Sequence, residues 1–258
     1  MIRGLDEPLF PRERIVSKQK SMRISIQELV LPPIYIFQMG KVGSASLHST
    51  LSQKYKGKVI HAHTYETMAP QAKQVLKWRK RFYLPVYVIC PVREPLSRNV
   101  SAFFQNFKRD TNYDFSERLW TASELCQLFL ENYPHNVCLE WFDNDFRKTF
   151  QVDVFAKPFP IHRKWETYRR SSVHVLVYRA DLEHTEQLNV ISRFIGFKIE
   201  SWNYSNRSED KEYRDAYQSF YNSVKLPDVY VSIMCKSRFC RHFWSDEEIA
   251  AFSKKWIA

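Results

Sequence analysis

The chain has 258 residues, 44% of them hydrophobic and 16% aromatic with only 5 glycines, which excludes disordered and fibrous classes and allows one sizeable buried core. Thirty-nine Lys and Arg against 28 Asp and Glu give a formal charge of +11, which favours anionic partners such as nucleotides, nucleic acid, acidic polysaccharide or a membrane surface. Five cysteines (Cys90, Cys126, Cys138, Cys235, Cys240) form no CxxC pair and are odd in number, so a reducing compartment is the plain reading and a Cys235–Cys240 bridge the alternative.

Residues 1–33 are polar, end in Pro32-Pro33 and read as an irregular N-terminal extension, with 34–258 as a single domain. The first thirty residues hold no apolar run long enough for a signal peptide or anchor, so a soluble, cytoplasmic protein is expected. A Golgi lumenal domain is the alternative if an anchor has been trimmed away. Ile34-Tyr35-Ile36-Phe37-Gln38-Met39 reads as a buried strand, the glycine turn 40–44 follows, and 45–55 is helix-compatible. A short strand at 58–62, a helix over 71–82 and a β-prone run at 86–90 come next. A helix starts near Pro95, where proline suits the first turn, and runs to about Phe107. A strand at 173–178 precedes a helix over 181–195, and the last fifty residues look helical. This alternation predicts an α/β fold whose mostly parallel sheet is covered by helices on both faces.

A turn that leaves a parallel strand and opens a helix gathers backbone N–H groups at the positive end of the helix dipole, where phosphate or sulfate is stabilised. Gly40-Lys41-Val42-Gly43-Ser44-Ala45-Ser46 is built that way: the glycines permit close backbone approach, Lys41 adds a point charge, and Ser44 and Ser46 donate hydroxyls. The segment matches neither GxxxxGK[ST] nor GxGxxG. In the second constellation, Arg93 leaves the end of the 86–90 strand and Ser101 lies about two helical turns further on, so both could face one anion. Val59-Ile60-His61-Ala62-His63 places two histidines on one face at a strand end, readable as a general base, a metal pair or strand residues with satisfied hydrogen bonds.

The pair FQMGKVGSASL and VREPLSRNVSAFF resembles the two signatures that bind 3′-phosphoadenosine 5′-phosphosulfate (PAPS) in the sulfotransferase superfamily. The resemblance covers residues 34–108 and is thinner beyond, where VHVLVYRADL and HFWSDEEIAAFSKKW are similar to parts of carbohydrate and capsular-polysaccharide-type members. It implies a P-loop-like three-layer fold with a helical C-terminal part, PAPS as co-substrate, 3′-phosphoadenosine 5′-phosphate (PAP) as product, and no metal. Gly40, Lys41, Val42, Gly43, Ser44, Ala45 and Ser46 would line the phosphosulfate, and Arg93 and Ser101 would grip the 3′-phosphate. Lys41 would stabilise charge on the leaving oxygen. His61-x-His63 is similar to the pair of polysaccharide 2-O-sulfotransferases, which makes His63 the expected base and His61 its orienter, with His162 and Glu94 next. Met39 and Val42 depart from the small-molecule pattern and weigh against a phenol or steroid acceptor.

A carbohydrate acceptor, neutral or acidic, is therefore the expected partner, without nucleic acid and without stable membrane insertion. The segments 162–170 and 202–211, basic and aromatic, suit sugar rings and acidic groups or equally a solvated surface, with Arg207 and Lys211 as further candidates for the 3′-phosphate. Two rival functions stand beside this one. A nucleotide or phosphate kinase predicts magnesium dependence, and a non-catalytic anion- or nucleic-acid-binding module uses the charge alone.

Overall fold

A computed structural model describes residues 30–203 and 212–257. Strands β1 (Ile34–Phe37), β2 (Val59–Ala62), β3 (Val86–Val92), β4 (Trp165–Arg170) and β5 (Val173–Arg179) form one sheet in the order β2-β1-β3-β5-β4. All neighbours are parallel except β4, which runs antiparallel along β5 at the edge. The chain steps from β1 to β2 on one side and then crosses to β3 on the other, so the direction of winding reverses at β1. In open α/β sheets the crevice beyond the carboxyl ends of the strands at such a reversal is where ligands lodge.

The period-two alternation of the strands divides the core. Tyr35, Phe37, Val86, Val88, Cys90, Val175 and Val177 face one side, where they pack against α2 (Pro70–Arg81), the helical run that includes α6 (Val137–Trp141) and α7 (Arg147–Phe150), and α11 (Arg238–Phe243). Ile34, Ile36, Ile89 and Leu176 face the other side, against α1 (Ser44–Lys54) and α8 (His184–Ile195). A third cluster, mostly helical, joins α3 (Pro95–Gln105), α4 (Phe107–Thr111) and α5 (Ala122–Asn132) to the C-terminal α9 (Arg214–Ser223), α10 (Asp228–Lys236) and α12 (Asp246–Trp256). Helices thus cover both faces of a mostly parallel sheet.

Three details differ from the sequence expectation. Strand β1 stops at Phe37 rather than Met39, because the Gln38 side chain turns back onto the Gly40 amide. The helix expected over 95–107 breaks at Asn106 into α3 and α4. Residues 165–170, read as part of a segment for acceptor contact or a solvated basic surface, form the edge strand β4. All five cysteines are free thiols, Cys235 and Cys240 included.

Candidate functional site

The turn after β1 is held in the left-handed region at three positions: Gly40 (φ 85°), Lys41 (φ 62°) and Gly43 (φ 80°). Glycine adopts that region without steric cost, whereas Lys41 does so at roughly 1 kcal/mol or more. Two arginines hold it there. Arg98, buried within α3, donates through Nε to the Gly40 carbonyl at 3.2 Å and through Nη2 to the Met39 carbonyl. Arg93, at the end of β3, donates through Nη1 to the Lys41 carbonyl at 3.3 Å. Three consecutive carbonyls are therefore clamped from the β3–α3 junction.

Helix α1 has Gly43 at its N-cap, which offers no side-chain cap, and no acidic residue in its first turn, so among the described residues its first amides are open to an anion. The N-terminus of α3 is different. Glu94 folds its carboxylate over it, accepting from the Leu96 and Ser97 amides at 2.8 Å each and from the Ser97 hydroxyl. Those amides are taken, and so is Glu94, whose place as a reserve base is filled by capping.

Gln38 is fully buried and links the turn to the histidines. Its Oε1 accepts from the Gly40 N–H, which directs Nε2 toward His61 Nε2 (3.1 Å) and His63 Nδ1 (2.9 Å). His61 Nε2 also lies 2.9 Å from the Ser44 hydroxyl, so the first helical residue of α1 reaches the histidine of β2. His63 Nδ1 lies 3.0 Å from the Gln38 carbonyl as well. Its two contacts demand opposite tautomers: Nδ1 accepts from the amide, or carries a proton and donates it to the carbonyl.

The His61 ring stacks on His48 (centroids 5.2 Å) and meets His63 edge-on (5.3 Å). Partial desolvation of a ring that still reaches solvent, with His63 and His48 adding positive charge nearby, pushes its pKa down to about 4. His61 is consequently neutral near pH 7. Trp141 Nε1 donates to the His63 carbonyl at 2.7 Å and fixes the loop that carries it.

Met39, Gly40, Lys41, His63, Arg98, Tyr133 and Trp141 line one cleft of about 500 Å³, with Arg109, Asp110 and Asp145 in its outer wall. A second hollow of about 490 Å³ lies along Arg93, Glu94 and Ser97 and is closed by Arg179, Tyr221, Trp244 and Glu248. Arg179, which carries no motif, binds both carboxylates of that wall, reaching Asp181 at 2.6 and 2.9 Å and Glu248 at 2.6 and 2.7 Å. Arg93 makes no ion pair among the described residues, although its charge is felt by Glu94.

Of the residues singled out from sequence, Gly40, Lys41 and His63 open into one cleft, with Ser44 and His61 joined to them through hydrogen bonds. Gly43 is exposed, and Ala45 and Ser46 sit half-buried in the first turn of α1. The Val42 side chain points into the core, leaving its backbone to contribute. Arg93 lies behind the turn in the second hollow, while Ser101 is buried along α3 and lines neither. His162 is exposed in the turn before β4 and is not part of either hollow. Arg207 and Lys211 lie outside the described residues.

The basic segments sort themselves differently. Register pairs Trp165 with Tyr178 but Arg170 with Val173, so Arg169 and Arg170 lie at the amino ends of the parallel strands, away from the His63 cleft. Trp202 donates its indole N–H to the His184 carbonyl at 3.2 Å, packing against the start of α8. Gln38 and Arg98 are the residues sequence reasoning passed over.

Among the described residues no group of three or more His, Cys, Asp or Glu side chains is arranged to hold a metal ion, and no helix is long and apolar enough to cross a membrane. Comparison of the chain with protein-family models, with curated proteins and with solved structures gave no match.

Proposed function

We propose that the chain is a PAPS-dependent O-sulfotransferase of P-loop-like fold that acts on a carbohydrate hydroxyl. The observation that carries the reading is that Lys41 and His63, from the segments that follow β1 and β2, line one cleft while Arg93 braces the same turn from behind. A donor with its 5′-phosphosulfate against the uncapped start of α1 and its 3′-phosphate toward Arg93 would occupy the Arg93 side. The acceptor would then enter the His63 side.

In this arrangement the acceptor oxygen attacks sulfur in line with the leaving phosphate oxygen, one S–O bond forming as the other breaks. His63 takes the acceptor's proton at Nε2, in the tautomer whose Nδ1–H is held by the Gln38 carbonyl. Lys41 and the α1 amides face the negative charge that grows on the leaving phosphate.

Calorimetry with PAP tests the donor assignment. PAP should bind one to one without magnesium and raise thermal stability by mass action, with ATP competing poorly for want of a 3′-phosphate. Tighter binding of Mg-ATP than of PAP would replace this reading with the kinase one. His63→Ala should then leave PAP affinity nearly intact while lowering sulfation by about two orders of magnitude, the scale of a lost general base. Sulfation that survives the substitution would remove His63 from the role.

A further inference from the structure

A hollow of about 380 Å³ adjoins the His63 cleft. Asp145 lines both, and the turn between them divides its residues, with Thr64 and Thr67 on the cleft and Tyr65 and Glu66 on the hollow. One wall is a stripe of α2, Lys73, Leu76, Lys77 and Lys80, whose i, i+3, i+4, i+7 spacing places them on one helix face. Asn144, Asp145, Lys148 and Thr149 form the facing wall. Lys73 marks the end near the cleft, its Nζ donating to the Glu66 carbonyl at 3.1 Å and lying 4.9 Å from the centre of the Tyr65 ring. Lys80 stands about 10 Å further along the helix. There the walls meet, Lys80 Nζ donating to the carbonyl of Thr149, the neighbour of Lys148, at 3.4 Å.

Four ammonium groups thus face two carboxylates, Glu66 and Asp145, and none of the four lysines is in an ion pair among the described residues. Both carboxylates belong to the end near the cleft, where burial and the Glu66 charge push the Asp145 pKa up against the pull of Lys148. Lys77, Lys80 and Lys148 are left to the far end. Lysines on the solvent face of an amphipathic helix are ordinary, and that is enough to explain Lys77. It does not explain Lys80, which is half-buried, has its pKa pushed down by burial, and faces a second cationic wall instead of open water. Like charges gathered in a concavity repel unless an anion lies between them.

We infer that the far end of this hollow binds an acidic group, a carboxylate or a sulfate, on the sugar chain whose hydroxyl enters the His63 cleft, held by Lys77, Lys80 and Lys148. The acceptor is then an acidic polymer rather than a neutral sugar, an assignment that rests on the sulfotransferase reading. Ammonium groups are point charges on flexible stems, without the rigid fork by which arginine selects one orientation, so either acid fits. Glu66 and Asp145 repel an acidic group closer to the cleft, which sets how far from the reacting hydroxyl the charge must lie.

Equilibrium binding with and without PAP tests the site with four probes: maltohexaose, its sulfated form, hexagalacturonate and hexathymidylate. At least one of the two acidic sugars should bind tenfold or more tighter than maltohexaose, and the tighter of them names the acid. Lys77→Gln/Lys80→Gln should weaken that probe by roughly tenfold or more. Lys148→Gln, on the facing wall, should weaken it by a few-fold, which a ligand lying on α2 alone would not register. Lys236→Gln/Lys254→Gln removes the same net charge as the α2 variant from exposed positions elsewhere and should cost little. Acidic sugars bound no tighter than maltohexaose, an effect confined to the α2 variant, equal weakening in the control, or hexathymidylate bound tighter than either acidic sugar would overturn the assignment. PAP affinity is read separately and should be unchanged in all three variants. A protein that binds an acidic sugar through Lys77, Lys80 and Lys148 but binds no PAP would keep this site and lose the donor reading.

Discussion

Arg98 should be the residue on which the turn after β1 depends, and Arg98→Met, which keeps bulk and removes the guanidinium, isolates that dependence. The side chain is 4% exposed and gives hydrogen bonds to the Gly40 carbonyl (3.2 Å), the Met39 carbonyl, Asn99 Oδ1 (3.0 Å) and the Tyr133 hydroxyl (2.5 Å). Hydrogen bonds to a charged group are worth about 1.5–3 kcal/mol each, but bonds sharing one group do not add, and removing the ion recovers its desolvation cost. A net loss of about 3 kcal/mol remains, which for a chain of this size lowers the melting temperature by roughly 6–12 °C. Urea denaturation with an unchanged slope is the assay, and calorimetry should show PAP affinity falling as well, because Met39 and Gly40 lose their anchor. Tyr133→Phe removes one of the bonds and should cost about 1 kcal/mol. A loss below about 1 kcal/mol in Arg98→Met, with PAP binding intact, would refute the idea that arginine holds the turn.

Lys41→Ala should cut turnover far more than PAP affinity, since its charge meets a phosphate oxygen that becomes negative only as sulfur departs; equal losses would make Lys41 an anchor. Arg93→Ala should weaken PAP by roughly 2–3 kcal/mol, read by calorimetry, and an unchanged dissociation constant would mean that Arg93 serves only the Lys41 carbonyl. His61 makes stability pH-dependent. Its folded pKa of about 4 lies below the ordinary 6.5, so between those values the unfolded chain binds a proton that the folded one refuses, and stability falls as pH drops through that window. His61→Asn should flatten the slope there in urea titrations, and an unaltered slope would assign it to other histidines.

The parts of the fold legible in the sequence are those where one residue pattern repeats. Strands β1, β3 and β5 are continuous apolar runs because both faces of a central parallel strand are covered, and the glycines at 40 and 43 mark a backbone that must enter the left-handed region. Strand β4 was not legible: Trp165-Glu166-Thr167-Tyr168-Arg169-Arg170 buries only Tyr168 fully, and an edge strand with one buried position has no hydrophobic period to read. The run from Val137 to Phe150 is hidden for another reason. A turn of π-helix at Phe142–Phe146 shifts the phase of its aromatic face, so residues that pack together do not recur at the helical interval.

The site divides along the same line. Lys41 and His63 are readable because each stands at the end of a strand next to a glycine or another histidine, where local spacing carries the information. Gln38 and Arg98 are chemically ordinary within their segments, one a polar residue near the end of an apolar run and the other an arginine early in a helix. Their roles exist only after β1, β2 and β3 are side by side, when Gln38 spans the Gly40 amide and two imidazoles and Arg98 reaches back to the Met39 and Gly40 carbonyls of the turn after β1. This also accounts for how the turn keeps its shape without a Gly-Lys-Ser/Thr triplet. A left-handed lysine between two left-handed glycines is unfavourable in isolation, but Arg93 and Arg98 fix the carbonyls at 39, 40 and 41 from outside the loop, so its conformation is stabilised by β3 and α3 rather than by its own sequence. A ligand that reorients those carbonyls must therefore break the hydrogen bonds that Arg93 and Arg98 give them.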